Sequence, residues 1–223
     1  MTNSHNSKRL FLTSSIDCVL AKLADLANLE PSQTKVAFVQ NAAIPYGNPA
    51  ELLWVKKDRE AFLKQNYELE DLDISSFNNK IDLENKLQEF QIIHFCGGNT
   101  LYLNYLLHQT GLFEIVKKMV TAGKLLYTGS SAGSMIISPD LFGIKDSLLE
   151  EIDPKFLEGI QRKDYFGLDL VPFLIIPHTN NPEFVLTNSQ MMEKIPNYPH
   201  PLIFLNDNQA IWVQNDKFEI IES

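Results

Sequence analysis

The residues best suited to chemistry sit at Gly129-Ser130-Ser131-Ala132-Gly133, where the apolar run Leu125–Thr128 passes into Ser134-Met135-Ile136-Ile137. A serine centred in G-x-S-x-G between a strand and a helix is the pattern of a nucleophile elbow. The sharp turn strains the central residue and lifts its hydroxyl above the sheet, while the flanking glycines admit neighbouring chain. Ser131 is therefore the candidate nucleophile, and the N–H of Ala132 faces any oxyanion formed by its attack. The pentapeptide alone fits a tight βα turn or a phosphate-binding loop equally well. Ser130 and Ser134 are neighbours, but only Ser131 is central.

A nucleophilic serine needs a base, and the chain offers five histidines. His5 lies in a polar N-terminal tail, His108 near a helix end, His94 inside an apolar strand, and His200 between Pro199 and Pro201. His178 differs. It follows the buried-strand run Phe173-Leu174-Ile175-Ile176-Pro177 and precedes the loop Thr179-Asn180-Asn181-Pro182. That order puts it at a strand's carboxyl end, on the same rim as Ser131. The third member should be an acid that orients the imidazole. Between Ser131 and His178 lie Asp146, Glu150, Glu151, Asp153, Glu158, Asp164 and Asp169, and spacing does not choose among them.

A second glycine turn follows Ile92-Ile93-His94-Phe95, as Cys96-Gly97-Gly98-Asn99-Thr100. Gly97 and Gly98 allow backbone amides to point into the cleft and supply a second oxyanion donor opposite Ala132. Asn99 or Thr100 can cap the helix that begins at Leu101. Neither G-x-G-x-x-G nor the P-loop pattern occurs, which weakens a nucleotide reading.

These residues need a scaffold. Leu10–Ser14, Val36–Gln40, Ile92–Phe95, Leu125–Thr128, Phe173–Pro177 and Leu202–Leu205 read as strands buried on both faces, because their apolar runs are continuous. Leu112, Ile115, Val116, Met119 and Val120 share one helical face, so 112–122 is the clearest helix. Residues 16–29 and 50–66 are further helix candidates, and 81–89 is a weaker one. Strands separated by helices predict an α/β, doubly wound, mostly parallel sheet covered on both faces. Leu202–Leu205, Ala210–Val213 and Phe218–Ile221 crowd together and predict an antiparallel C-terminal edge. Residues 144–169 read as a long active-site loop with room for one short helix. One domain over 1–223 is expected, with 1–8 as a tail.

Composition narrows the partners. The chain has 223 residues, 44% of them hydrophobic, and a formal net charge of −9. Its only arginines are Arg9, Arg59 and Arg162, too few for phosphate-backbone binding, so nucleic acid is not expected. No stretch approaches the apolar length of a membrane span, and no signal-peptide pattern opens the chain. Cys18 and Cys96 form no CxxC or Cys/His cluster, which predicts neither a metal nor a disulfide framework. A cytoplasmic protein without cofactor, monomeric or homodimeric, is the expectation.

Taken together, F-C-G-G-N-T at 95–100, A-G-K-L-L-Y-T-G-S-S-A-G at 122–133, S-P-D at 138–140 and G-L-D-L-V-P-F-L-I-I-P-H-T-N-N-P at 167–182 resemble peptidase family S51. This is the dipeptidase E or alpha-aspartyl dipeptidase type, related to cyanophycinase. With L-F-L-T-S-S at 10–15, the similarity runs in consistent order through most of the chain. The resemblance implies a three-layer, flavodoxin-like fold of the class I glutamine amidotransferase kind. It implies a serine exopeptidase acting on short peptides, plausibly dipeptides with N-terminal aspartate, through an acyl-enzyme. Ser131 matches the family's nucleophile and His178 its P-H histidine. Asp146 falls where the family's acid is expected past Ser138-Pro139, and Gly98 matches the second oxyanion donor. Gly97 and Asn99 are the expected substrate-binding neighbours, and Lys145, Arg162 and Lys163 are candidate partners for an acidic substrate.

Two features depart from the pattern. Cys96 stands where relatives often carry glycine, and the stretch from Ser131 to His178 is longer than in a typical aspartyl dipeptidase. Two rivals remain: an esterase of the α/β-hydrolase kind, which shares the Ser…Asp…His order, and a non-catalytic binding module on the same fold. The 47 positions between Ser131 and His178 (178 − 131) are few for the former.

Overall fold

In the computed structural model, which describes residues 7–77, 79–144, 153–195 and 198–223, the continuous apolar runs become the interior of a seven-stranded sheet. The chain order is β1 (Arg9–Thr13), α1 (Ile16–Val19), α2 (Leu23–Ala27), β2 (Lys35–Val39), α3 (Leu53–Lys64), β3 (Glu68–Asp71) and α4 (Lys80–Leu87). Then come β4 (Ile92–Phe95), α5 (Thr100–Thr110), α6 (Leu112–Thr121), β5 (Leu126–Ser130), α7 (Ala132–Met135), β6 (Leu174–Ile176), α8 (Val185–Lys194), β7 (Leu202–Phe204), β8 (Gln209–Gln214) and β9 (Lys217–Glu222). The large sheet runs β3-β2-β4-β5-β1-β8-β9. Its first five strands are parallel, and β8 and β9 continue it antiparallel.

Alternate residues of one strand feed two different cores, which is why the strands carry no polar face. Leu10, Leu12, Ala37, Val39, Ile93 and Phe95 pack with α4, α5 and α6, through side chains such as Leu87, Leu103 and Val116. Phe11, Val36, Phe38 and Ile92 pack with α1, α2 and α3, through Ile16, Leu23, Val55 and Phe62. The three layers are thus helix, sheet, helix.

Four local outcomes differ from the sequence reading. The candidate helix 16–29 is two short helices joined by a 3-10 turn, and Asn28 ends it in the left-handed region at φ 51°. The strand β3, Glu-Leu-Glu-Asp, carries no apolar signal because it is an edge strand paired only with β2. Leu202–Phe204 is not part of the antiparallel edge. It pairs in parallel with β6, and the two form a separate sheet, Leu174 opposite Leu202 and Ile176 opposite Phe204. In the described part of the 144–169 loop there are two 3-10 turns, Pro154–Leu157 and Arg162–Tyr165.

Candidate active site

β5 and β1 are paired side by side, with Thr13 opposite Ser130, so both strands deliver their next residues to one rim. Ser131 comes directly after β5 with φ 49° and ψ −109°, a backbone that costs a non-glycine residue about 1–3 kcal/mol. Neighbouring bonds hold it there. The Ser131 amide donates to Thr13 O at 2.9 Å, and the Ser134 hydroxyl lies 2.8 Å from Thr13 O and 2.7 Å from Gly129 O. Gly133 is required by close approach, since a Cβ there would stand 2.1 Å from Phe95 O. Ser130 and Ser134 are buried, and Ser130 Oγ accepts from the Ile16 amide. Ser131 alone of the three is partly exposed.

His178 lies just past β6 and also has a left-handed backbone, φ 60°. Its amide donates to Ser14 Oγ at 3.1 Å, and its ring stacks on Phe184 with centroids 4.2 Å apart. Ser131 and His178 are therefore anchored on Thr13 and Ser14, consecutive residues where β1 ends.

The carboxylate against the imidazole is Asp207, whose Oδ1 lies 2.6 Å from His178 Nδ1. Asp207 sits in the turn between β7 and β8. Its amide donates to Asn180 Oδ1 at 2.9 Å, and Asn181 Nδ2 reaches its Oδ2 at 3.4 Å. Asp146 and Lys145 lie outside the described residues. Asp207 escapes the sequence reading because it stands beyond His178, outside the interval that the Ser…Asp…His order points to. One signal marks it all the same: Leu202–Leu205 reads as a strand, and Asn206-Asp207 comes at its carboxyl end. Of the candidate cations, Arg162 is committed to the Phe142 ring, with its Cζ 4.9 Å from the centroid.

The second glycine turn lies across from the elbow. Gly98 has φ 148°, and a Cβ on it would fall 2.2 Å from Ala42 O, so only glycine fits. The Asn99 amide bonds that same carbonyl at 2.8 Å, fixing the loop on the segment Asn41–Tyr46. Asn99 is fully buried, and its side chain caps α5 by accepting from the Tyr102 amide. Its Oδ1 thus serves the helix. Ala132 opens α7, so no helical carbonyl can reach its amide.

The other described histidines are engaged elsewhere. His94 is buried between Phe38 and Phe62, with Nδ1 3.0 Å from Thr128 Oγ1 and Nε2 3.3 Å from Asp58 Oδ2. His108 stacks on Phe113, and His200 lies 3.5 Å from Asp140. His94, Asp58 and Cys96 place three potential metal-ligand atoms within 4.8 Å of one another, a grouping the sequence spacing hides. An ion there would have to take His94 Nε2 from Asp58, and burial raises the Cys96 thiol well above its ordinary pKa. The cluster reads as a hydrogen-bonded tie between α3, β4 and β5. No helix among the described residues is long and apolar enough to cross a membrane.

A three-layer, flavodoxin-like parallel sheet thus carries Ser131 past β5, and the His178–Asp207 pair follows β6 and β7. The chain belongs to peptidase family S51, whose family model matches residues 10–221. It is 29% identical over 214 residues to an uncharacterized peptidase of Pasteurella multocida, covering 94% of this chain and 95% of that one. It is 28% identical over 151 residues to a protein named a probable alpha-aspartyl dipeptidase from Drosophila melanogaster, covering 65% and 59%. A crystal structure named for peptidase E, from Listeria monocytogenes EGD-e, superposes with a TM-score of 0.82 at 25% identity, covering 97% of this chain and 99% of that one. The chain is a peptidase.

Proposed function

We propose that this peptidase is a serine exopeptidase of short peptides, with Ser131 as nucleophile, His178 as general base and Asp207, in place of Asp146, as the acid that orients it. The observation that carries this reading is the 2.6 Å contact between His178 Nδ1 and Asp207. With Nδ1–H donating a hydrogen bond to the Asp207 carboxylate, the ring keeps Nε2 as its basic nitrogen, on the rim where Ser131 stands.

The Ser131 hydroxyl loses its proton to His178 Nε2 as Oγ attacks the peptide carbonyl. The tetrahedral oxyanion is held by the amides of Gly98 and Ala132. Collapse breaks the C–N bond, and the imidazolium gives its proton to the leaving amine. Water, deprotonated by the same nitrogen, then attacks the acyl-enzyme and releases the acid, restoring Ser131. The name of the Drosophila relative makes Asp-Leu the reference substrate. The test is turnover of a panel of X-Leu dipeptides by the wild type and Ser131→Ala. The variant should stay folded and lose on the order of 10⁶ in kcat. Near-full activity in a folded Ser131→Ala protein would exclude the mechanism.

A further inference from the structure

We infer that Trp54 and Tyr46 form the subsite for the side chain on the acyl side of the scissile bond, and that this subsite takes an apolar or aromatic side chain rather than aspartate. The inference rests on the serine peptidase reading for the position of the scissile bond, and on independent contacts for the chemistry of the wall.

Gly97 measures the distance between nucleophile and indole. A Cβ built on it would stand 3.4 Å from Ser131 Cβ and 3.6 Å from Trp54 Cδ1. Both atoms thus lie within van der Waals reach of one point at Gly97, which puts the indole near the nucleophile. Trp54 Nε1 donates to Gly97 O at 3.2 Å, which fixes the indole against the oxyanion loop. Tyr46 meets it edge to face, with centroids 5.8 Å apart and an interplanar angle of 87°. Both residues remain more than a third exposed, at 39% and 38%. An aromatic ring anchored by its polar end, with apolar area left in water, is a preformed wall for another apolar group. With the carbonyl oxygen between the Gly98 and Ala132 amides, as the serine peptidase reading has it, the acyl residue is assigned to the Gly97 side of the nucleophile, where Trp54 stands.

The charge around the rim argues against an acidic occupant. Asp17, in the first turn of α1, has its carboxyl pushed up first by burial and then by the field of Asp58, with Asp207 adding to it. Lys57, one turn beyond Trp54 on α3, already opposes that field as a neighbour of Asp17. Trp54 and Tyr46 themselves bring no cation to an aspartate side chain, whereas they offer apolar area to an apolar one. The free ammonium of a short peptide has the favourable sign here.

The inference is tested by binding, so that it does not depend on catalysis. In Ser131→Ala protein, titration calorimetry with Phe-Leu and Asp-Leu should give a dissociation constant at least about tenfold lower for Phe-Leu. Adding Trp54→Ala should weaken Phe-Leu about tenfold and leave Ala-Leu within about twofold. Trp54→Phe keeps a ring without the N–H bond and should retain the preference. Tyr46→Ala, which leaves the Gly97 bond in place, should weaken Phe-Leu more than Ala-Leu. Tighter binding of Asp-Leu, no binding of any dipeptide, or equal losses for Phe-Leu and Ala-Leu would overturn the subsite. Phe-Leu bound tightly by Ser131→Ala but not hydrolysed by the wild type would uphold the subsite and overturn the peptidase mechanism.

Discussion

The amide of His178 donates to the hydroxyl of Ser14, 164 positions earlier in the chain. The same hydroxyl donates to Leu205 O at 3.1 Å. One small side chain at the end of β1 thus grips the segments after β6 and β7, which carry His178 and Asp207, while the preceding Thr13 holds Ser131. Ser14→Ala removes both bonds without touching a reacting atom. It should lower kcat about tenfold to a hundredfold, because small misplacements of a base are costly, with little change in KM. Steady-state kinetics on a stable dipeptide substrate, with a thermal melt as control, would read this directly. An unchanged kcat would show that His178 is placed by other contacts.

Asp207→Asn should keep the fold and lose about 10³–10⁴ in kcat, since an amide at this position favours the wrong tautomer of the imidazole. Asp146→Asn should cost far less. A reversed order, measured as kcat for both variants on one substrate, would return the orienting role to Asp146.

The two glycines of the oxyanion loop should respond differently. Gly98→Ala drives a methyl group into Ala42 O and places alanine at φ 148°, so it should lower the melting temperature and cost about 10² or more in kcat. Gly97→Ala meets only ordinary contacts, at 3.4 Å and 3.6 Å, and should keep a melting temperature near that of the wild type. Equal losses of stability in the two variants would contradict the loop geometry.

Asp17 gives a dependence on pH. Its folded pKa is raised, chiefly by burial, so the folded state keeps a proton that the unfolded state has released. Stability therefore falls as pH rises from the unfolded value, about 3.9, through the higher folded value, and the penalty is complete above that. Asp17→Asn should melt higher than the wild type at pH 7, and the difference should shrink as the pH falls below about 3.9. Melting curves at the two pH values decide it, and a variant less stable at pH 7 would mean that the Asp17 charge is favourable.

Elements buried on both faces were legible because their chemistry is local. The runs at β1, β2, β4 and β5 and the stripe of α6 needed no partner to be recognised. The edge strand β3 was hidden because pairing with β2 alone orders it, and its alternating acids carry no burial signal. The parallel pairing of β6 with β7 was hidden for another reason. Two strands close in sequence to β8 suggest an antiparallel meander, and only the long return through α8 allows a parallel pair. Ser131 and His178 were visible because each ends a strand. Asp207 lies in the turn after β7, and its contact with His178 depends on β7 lying beside β6, a pairing no spacing announces.

The separation of the sheets has a mechanical consequence. Ser131 rides on the large sheet, whereas His178 and Asp207 ride together on the two-stranded one. A sliding of the small sheet as a unit would change the reach from base to nucleophile while keeping the imidazole matched to its carboxylate. That reach would then be set in part by side chains packed between the small sheet and the helices α5 and α7, such as Leu101, Met135, Leu174 and Ile176.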